Sequence, residues 1–271
     1  MSVWKVSESQ TWFVEQNCVV RQIWGTSDSI LFIFAGAAAE FSLNKAVDWL
    51  FFTGRLPADP LGRLFSTVTY ARQIVFSSME RANAVIDRLA AIHREVEETR
   101  RMTIPPWAYR DVLYMLIDYS IRAHELLVRR LEEDEKAEVY DVFLRVGLRM
   151  GIPSLPPDYN AWLPDREKHM AEDLDVSNFT HDLYKQYRIH LGLVRYRILL
   201  GAQAVITPAI VRRRLRLKDW GTFSVIVPVY KLARAVGMEW FLKKAILPSR
   251  FVVEIRELDQ SAKREWSHTH T

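Results

Sequence analysis

The stretch DPLGRLFSTVTYARQIVFSSMERANAVIDRLAAIHREVEE, residues 59–98, decides the fold because it reads as two consecutive amphipathic helices. Asp59-Pro60 is a helix-start signal, since Asp caps free backbone N–H groups and Pro is tolerated at the first helical position. Ser77-Ser78 breaks the apolar spacing and predicts the cap of the second helix. The second helix is predicted to bury one apolar stripe, which comprises Val85, Ile86, Leu89, Ile92 and Val96.

His93 lies inside this apolar stripe, where a polar ring needs a partner. Two interpretations are open. The ring is a structural histidine bonded to a carbonyl or carboxylate, or it is the single axial ligand of a haem iron. Arg63 and Thr67 are four residues apart and share one face of the first helix. They are either a surface arginine and a threonine bonded to its own helix, or a cation and a hydroxyl aimed into a pocket.

The composition indicates a globular protein without covalent cross-links of its own. The chain has 271 residues, 49% of them hydrophobic, and a formal net charge of +4, which does not favour binding to duplex nucleic acid. Cys18 is the only cysteine, so no intrachain disulfide or cysteine metal cluster can form. The opening residues MSVWKVSESQTW lack the pattern of a signal peptide, and we expect a cytoplasmic protein in a reducing compartment.

Helical patterns continue on both sides of this stretch. The apolar segment 30–43 predicts a buried helix whose small residues, 35–39, allow close approach of another helix or of a flat ligand. Further helices are predicted over 45–52, 107–131, 158–174, 177–191 and 193–213, the last broken near Thr207-Pro208. Residues 132–136 are predicted to form a charged turn from which another helix continues to residue 150. Short β-branched runs occur only at 223–229 and 251–255. The pattern predicts an all-α protein with an N-terminal arm (1–25), one helical domain (26–250) and a C-terminal tail (251–271).

Common catalytic motifs are absent: the sequence has no glycine-rich phosphate loop, no histidine or cysteine zinc spacing and no nucleophile elbow. Instead, DPLGRLFST, followed by IHREV with its histidine 26 residues after Thr67, resembles the latex-clearing proteins (rubber oxygenases) and the fungal mpaB-type oxygenases. RDVLYMLIDYSIRAHELL and EKAEVYDVFLRVGLRMGIPSLPPDY are similar to bacterial members of the mpaB group. The resemblance covers roughly residues 20–220.

The resemblance implies a single-domain helical bundle that encloses one b-type haem. By position, His93 matches the proximal iron ligand, and Arg63 and Thr67 match the polar pair of the distal pocket. The implied activity is that of a haem b-dependent oxygenase that uses O2 on a hydrophobic small molecule, with oxidative cleavage of an alkene as the reaction of the rubber-oxygenase branch. The helix of residues 30–41 is then a candidate wall of the substrate site.

Three departures from the family pattern concern the distal side. Tyr114-Met115-Leu116 stands where many members have W-V-H, and Ser66 stands where the rubber oxygenase has a lysine. The distal acid has no secure match, although Glu40 and Asp48 are nearby acids. The haem is therefore better supported than the cleavage of polyisoprene.

Other functions remain open at this point. The pocket can belong to an oxidase or peroxidase, or to a haem-binding protein without catalysis. The basic run VRRRLRLKDW, residues 211–220, is either a solvated helix face or a surface for anionic lipid or nucleic acid. We expect no nucleic-acid partner and leave contact with a membrane surface open. The sequence determines neither the substrate nor the oligomeric state.

Overall fold

The computed structural model describes residues 11–52, 60–217 and 228, and within these ranges it leaves out the side chains of residues 50, 52 and 60–65. The described residues form helices joined by short loops, with isolated β-bridges at Trp12–Ser78 and Asn44–Leu174 as their only strand-like pairing. The predicted all-α class is confirmed. The predicted β-branched runs and the C-terminal tail lie outside the described residues.

The helices follow one another with few breaks. They are α1 (Val19–Trp24), α2 (Ser27–Phe41), a 3₁₀ turn (Lys45–Val47), α3 (Asp48–Phe52), α4 (Pro60–Val75), α5 (Met79–Arg100), α6 (Pro106–Leu127), α7 (Glu133–Arg149), α8 (Tyr159–Glu172), α9 (Asn178–Ile206) and α10 (Ala209–Arg214). Helix α2 packs mainly against α6 and α9, while α4 packs against α5 as a helical hairpin. This hairpin is the stretch that decides the fold.

The hairpin begins and turns where the sequence predicts. Helix α4 starts at Pro60, and the hydroxyl of Ser78 accepts the N–H of Arg81 at the start of α5. Residues just before α1 hold the turn, because Met79 donates its N–H to the carbonyl of Thr11 at 2.8 Å. Phe13 in the same segment donates its N–H to the carbonyl of Ser77, and the side chain of Val14 is fully buried, as is Trp24 at the end of α1. The division into arm, domain and tail stays a prediction.

The small residues of α2 serve helix packing. A Cβ placed on Gly36 would lie 2.3 Å from the ring of Tyr119 on α6. Tyr119 is itself fully buried and donates its hydroxyl to Glu40 at 2.9 Å, so the ring has no room to move aside. Of the two interpretations of these small residues, close helix packing is the one observed at Gly36.

We therefore expect Gly36→Ala to destabilise the protein. Alanine favours a helix over glycine by about 1 kcal/mol, but the overlap with Tyr119 is an overpacking of a filled core, which costs ~1–3 kcal/mol. An approach of 2.3 Å to a fully buried ring corresponds to the upper part of that range, so the expected net loss is about 1–2 kcal/mol, measured by urea unfolding. Gly147→Ala is the matched control, because the nearest atoms to its new Cβ are the flexible ends of the side chains of Leu113, Leu155 and Ile152. Equal stability of Gly36→Ala and the wild type would contradict the close approach.

Two element boundaries differ from the prediction. Helix α6 ends at Leu127 rather than 131, and α7 already begins at Glu133 inside the charged segment, where a capping box joins Glu132 and Glu135. Helix α9 covers the predicted helix 177–191 and the first part of the predicted helix 193–213, and Gly192, with φ 70° and ψ 172°, interrupts it at the gap between the two. The predicted break at Thr207-Pro208 is observed between α9 and α10.

Candidate functional site

His93 lies in the C-terminal half of α5, and a hydrogen bond to the backbone of the same helix orients its ring. Nδ1 is 2.8 Å from the carbonyl oxygen of Leu89, one turn earlier. A carbonyl can only accept a hydrogen bond, so Nδ1 carries the proton and, in the neutral ring, Nε2 carries the lone pair. This is the arrangement in which an imidazole binds a metal through Nε2 while its other nitrogen is held by the protein.

A tyrosine and a glutamate fix the surroundings of His93. The ring of Tyr109, on α6, meets the His93 ring edge-on with 5.3 Å between the ring centres. The Tyr109 hydroxyl donates to Glu97 at 3.3 Å, and Glu97 also accepts the backbone N–H of Ile104 at 2.7 Å. Burial, followed by the charge of Glu97, raises the pKa of Tyr109 above its usual value. The first turn of α6 is thus held against the helix that carries His93.

The apolar stripe of α5 is less buried from solvent than the sequence predicts. Ile86 is fully buried, but Val85, Leu89 and Val96 are half-buried and Ile92 is 38% exposed. The prediction that all of these residues are buried is therefore wrong for Ile92 and only partly right for three others. An apolar stripe that remains partly open beside a half-buried histidine fits a flat apolar group lying against α5.

Helix α4 carries the other two predicted site residues. The two helices are joined by a short loop and pack together, which places the first half of α4 beside the second half of α5. The side chain of Arg63 lies outside the described part of the chain, and Thr67 is exposed. The structure thus brings the helix segments of Arg63, Thr67 and His93 to the same end of the hairpin. The roles of all three residues stay predictions.

A buried charged cluster, which the sequence reasoning missed, lies between α2, α6 and α8. Arg166 donates to both carboxylate oxygens of Glu40, at 2.5 and 2.7 Å, and to Asp118 at 3.1 Å. Arg166 and Glu40 are almost completely excluded from solvent. A visible signal was the interruption of the apolar segment by Glu40, since a buried charge requires a partner. The partners, however, come from helices far apart in the sequence.

A second polar cluster lies beside the first and contains Asp111, His169 and Asp173. His169 Nδ1 lies 2.7 Å from Asp173 Oδ2 and 2.9 Å from Asp111 Oδ1. The other oxygen of Asp111 accepts from Asn44 at 2.6 Å. Burial, followed by the charge of Asp173, raises the pKa of Asp111 to about 7, although the bond from Asn44 opposes this shift.

Comparison with known proteins decides the family. The family model described as ER-bound oxygenase mpaB/B′/rubber oxygenase, catalytic domain, matches residues 24–238, which is most of the chain. The chain belongs to the mpaB/rubber oxygenase family. Membership implies an oxygenase, with O2 and a substrate as its reactants. No curated protein and no solved structure matches the chain.

Within the mpaB/rubber oxygenase family, this chain uses its two nearest candidate acids for structural contacts. Glu40 is bound by Arg166 and Tyr119, as described above. Asp48 accepts from Arg100 at 2.6 Å, and the guanidinium of Arg100 lies 3.9 Å from the ring centre of Trp49. This pair ties α3 to the end of α5. Both acids are thus paired with an arginine of another helix.

The segment that replaces W-V-H also has a structural use in this member of the family. Tyr114 and Met115 are buried in the core. The Tyr114 hydroxyl donates to Asp165 at 2.6 Å, and the Tyr114 ring meets the edge of Trp162. Leu116, at the position of the histidine in W-V-H, is half-buried and packs against the core.

Proposed function

We propose that the protein is a haem b-dependent oxygenase that acts with O2 on a hydrophobic small molecule, with His93 as the axial ligand of the haem iron. The observation that carries the proposal is the bond from His93 Nδ1 to Leu89, in a chain that belongs to an oxygenase family. The partly open apolar stripe of α5 supports it, because a porphyrin is a flat and mainly apolar group.

The proposed roles of the residues follow from their chemistry. When bound, haem supplies an iron centre that activates O2. His93 holds the iron from one side through Nε2, and the carbonyl of Leu89 keeps its ring in the required tautomer. Arg63 offers a fixed positive charge to the negative charge that develops on oxygen during the reaction. Thr67 orients the same oxygen through its hydroxyl.

Oxidative cleavage of an alkene, the reaction of the rubber-oxygenase branch, is one candidate reaction. Ser66 stands in place of a lysine, and Glu40 and Asp48 are paired with arginines, so this chain differs from that branch near the proposed oxygen site. Hydroxylation, dehydrogenation and peroxidation are therefore the alternatives. Incubation with alkenes and aromatic compounds under ¹⁸O2 distinguishes them, since cleavage places labelled oxygen in carbonyl products whereas dehydrogenation leaves none in the product.

Replacing Arg63 by alanine is expected to separate an oxygenase from a passive haem carrier. Loss of one preorganised charge at a reacting oxygen typically lowers turnover by roughly 10²-fold or more. We expect Arg63→Ala to keep its haem and to lose O2-dependent turnover by that factor, measured with an oxygen electrode. Ser66→Ala, on the same helix, is the matched control and should change turnover less than Arg63→Ala. Undiminished turnover in Arg63→Ala would remove this role.

A membrane surface is the second partner we propose, because α9 exposes a patch of apolar residues beside its break. Ile189, Leu193 and Val194 are 62%, 53% and 71% exposed, and Arg188 and Arg197 flank them on the surface. Exposed apolar residues next to cations are typical of contact with anionic lipid. Among the described residues, α9 alone passes the length and composition test for a membrane span, yet Gly192 divides it into halves shorter than the ~20 residues a span needs.

This contact is tested by co-sedimentation with vesicles of neutral and of anionic phospholipid. The double variant Leu193→Ser/Val194→Ser should bind anionic vesicles at least several-fold more weakly than the wild type. The basic run after α9 contributes less than its sequence suggests, because Arg212 and Arg214 donate to backbone carbonyls. Equal binding of variant and wild type would contradict a role for this patch. The cytoplasmic location stays a prediction.

A further inference from the structure

The cluster of Asp111, His169 and Asp173 has the composition of a metal site that is separate from His93. Each of the three residues offers one potential ligand atom, and these atoms all lie within 4.8 Å of one another. His169 Nδ1 is the closest to both carboxylates, at 2.9 Å from Asp111 Oδ1 and 2.7 Å from Asp173 Oδ2. The three residues come from α6, from α8 and from the residue that ends α8. Asp111 and His169 are buried, while Asp173 is half-buried and leaves a path from solvent.

One oxygen in the cluster has no hydrogen-bond donor. Nδ1 of His169 carries at most one proton, which can serve Asp173 or Asp111 but not both. The side chain of Asp111 is only 2% exposed, and its Oδ1 makes no hydrogen bond. The other ring nitrogen, Nε2, lies 3.8 Å from Asp165 Oδ1 on the opposite side of the ring and donates no hydrogen bond to Asp111 Oδ1. A buried carboxylate oxygen without a partner is costly unless a proton or a cation meets it.

The charges around Asp111 and Asp173 favour the binding of a cation between these two carboxylates. Within the described part of the chain, the guanidinium of Arg166 bonds to Glu40 and Asp118. Lys45 and Arg214 lie nearby in the fold, but they donate to the backbone carbonyls of Glu172 and Leu174. The carboxylates of Asp111 and Asp173 thus share one imidazole between them. Two carboxylates and one imidazole nitrogen are a ligand set that divalent transition metals accept.

We propose that Asp111, His169 and Asp173 bind a divalent metal ion, Zn²⁺ or Mn²⁺, through these three atoms. Ligands of such an ion lie ~2.0–2.2 Å from it and therefore ~3.3–3.5 Å from one another, so the carboxylates need to move outward by about half an ångström. Asn44 holds the other oxygen of Asp111 and orients that carboxylate. The ion would link α6 to the end of α8. The segment after α2 already contacts this region, because Asn44 forms an isolated β-bridge with Leu174, just after α8.

The test begins with elemental analysis of the purified protein, followed by calorimetric titration of the chelator-treated protein with ZnCl2, MnCl2 and MgCl2. His268 and His270 can bind metal by themselves, so both are replaced by alanine in all titrated proteins. We expect about one equivalent of Zn²⁺ or Mn²⁺ per chain and a rise of the melting temperature on binding. Mg²⁺ should bind far more weakly, because imidazole suits transition metals.

Variants test which residues bind the metal ion and whether the metal site is independent of the proposed haem site. Binding should fall at least 100-fold in Asp111→Asn and in Asp173→Asn, and it should persist in Asp175→Asn, an exposed acid close by in the chain. Asp173→Asn is the safer variant for folding, since its side chain is only half-buried. The metal should also persist in His93→Ala, so that failure of the haem proposal leaves this result unaffected. Absence of binding by the His268→Ala/His270→Ala protein, or unchanged binding in both asparagine variants, would overturn the proposal.

Discussion

Replacing His93 by alanine is expected to remove the haem. The variant should lose the Soret absorption band and its stoichiometric iron, because no other side chain is proposed to hold the iron axially. Its helical circular dichroism should remain, since His93 is half-buried and its described hydrogen bond runs to its own helix. Absorption spectra, iron analysis and far-ultraviolet circular dichroism on the same samples measure the three properties together.

The matched control is His181→Ala, because His181 is an exposed histidine on α9. This control should keep the haem content of the wild type. Addition of imidazole to His93→Ala is expected to restore part of the absorption band, since a free imidazole can take the vacated ligand position. If His93→Ala retains haem at the level of the control, His93 is not the axial ligand and its bond to Leu89 is purely structural.

The second large effect is expected from Arg166→Met, which should destabilise the protein by ~3–5 kcal/mol. The substitution leaves the buried carboxylate of Glu40 with the Tyr119 hydroxyl as its remaining donor and removes the bond to Asp118. Breaking one partner of a buried ion pair is costly because the remaining charge is neither hydrated nor paired. Urea unfolding followed by circular dichroism measures the change in the free energy of unfolding.

Two further variants test whether the loss of stability comes from the unpaired buried charge. Glu40→Gln/Arg166→Met should recover part of the lost stability, because it removes the unpaired charge as well. Arg149→Ala breaks the exposed pair with Asp87, at 2.7 Å, and should change stability by less than ~1 kcal/mol. A loss in Arg166→Met no larger than in Arg149→Ala would show that the buried pair does not stabilise the fold.

Local signals in the sequence account for most of the helix boundaries. Asp59-Pro60, Ser78 and Thr207-Pro208 act through backbone chemistry within one turn of the chain, and the structure has helix ends at these positions. The gap between the predicted helices 177–191 and 193–213 coincides with Gly192, whose left-handed φ interrupts α9. The early end of α6 at Leu127, by contrast, has no glycine or proline to signal it.

The polar clusters could not be predicted in the same way. Glu40, Asp118 and Arg166 lie on three helices, and their pairing depends on how those helices pack rather than on spacing along the chain. His169 carries no motif in the sequence, because its neighbours in space include Asp111, which lies 58 positions earlier. His93 could be identified from the sequence because it lies among apolar residues of a single helix. Its partial exposure could not, because that depends on which helices pack around α5.

The most direct test of the central claim is the absorption spectrum of the purified wild-type protein, combined with quantification of haem and iron. The account predicts a Soret band, with haem b and haem iron each present at about one equivalent per chain after reconstitution with hemin. A folded protein that stays colourless and free of haem iron after the same treatment would contradict the account.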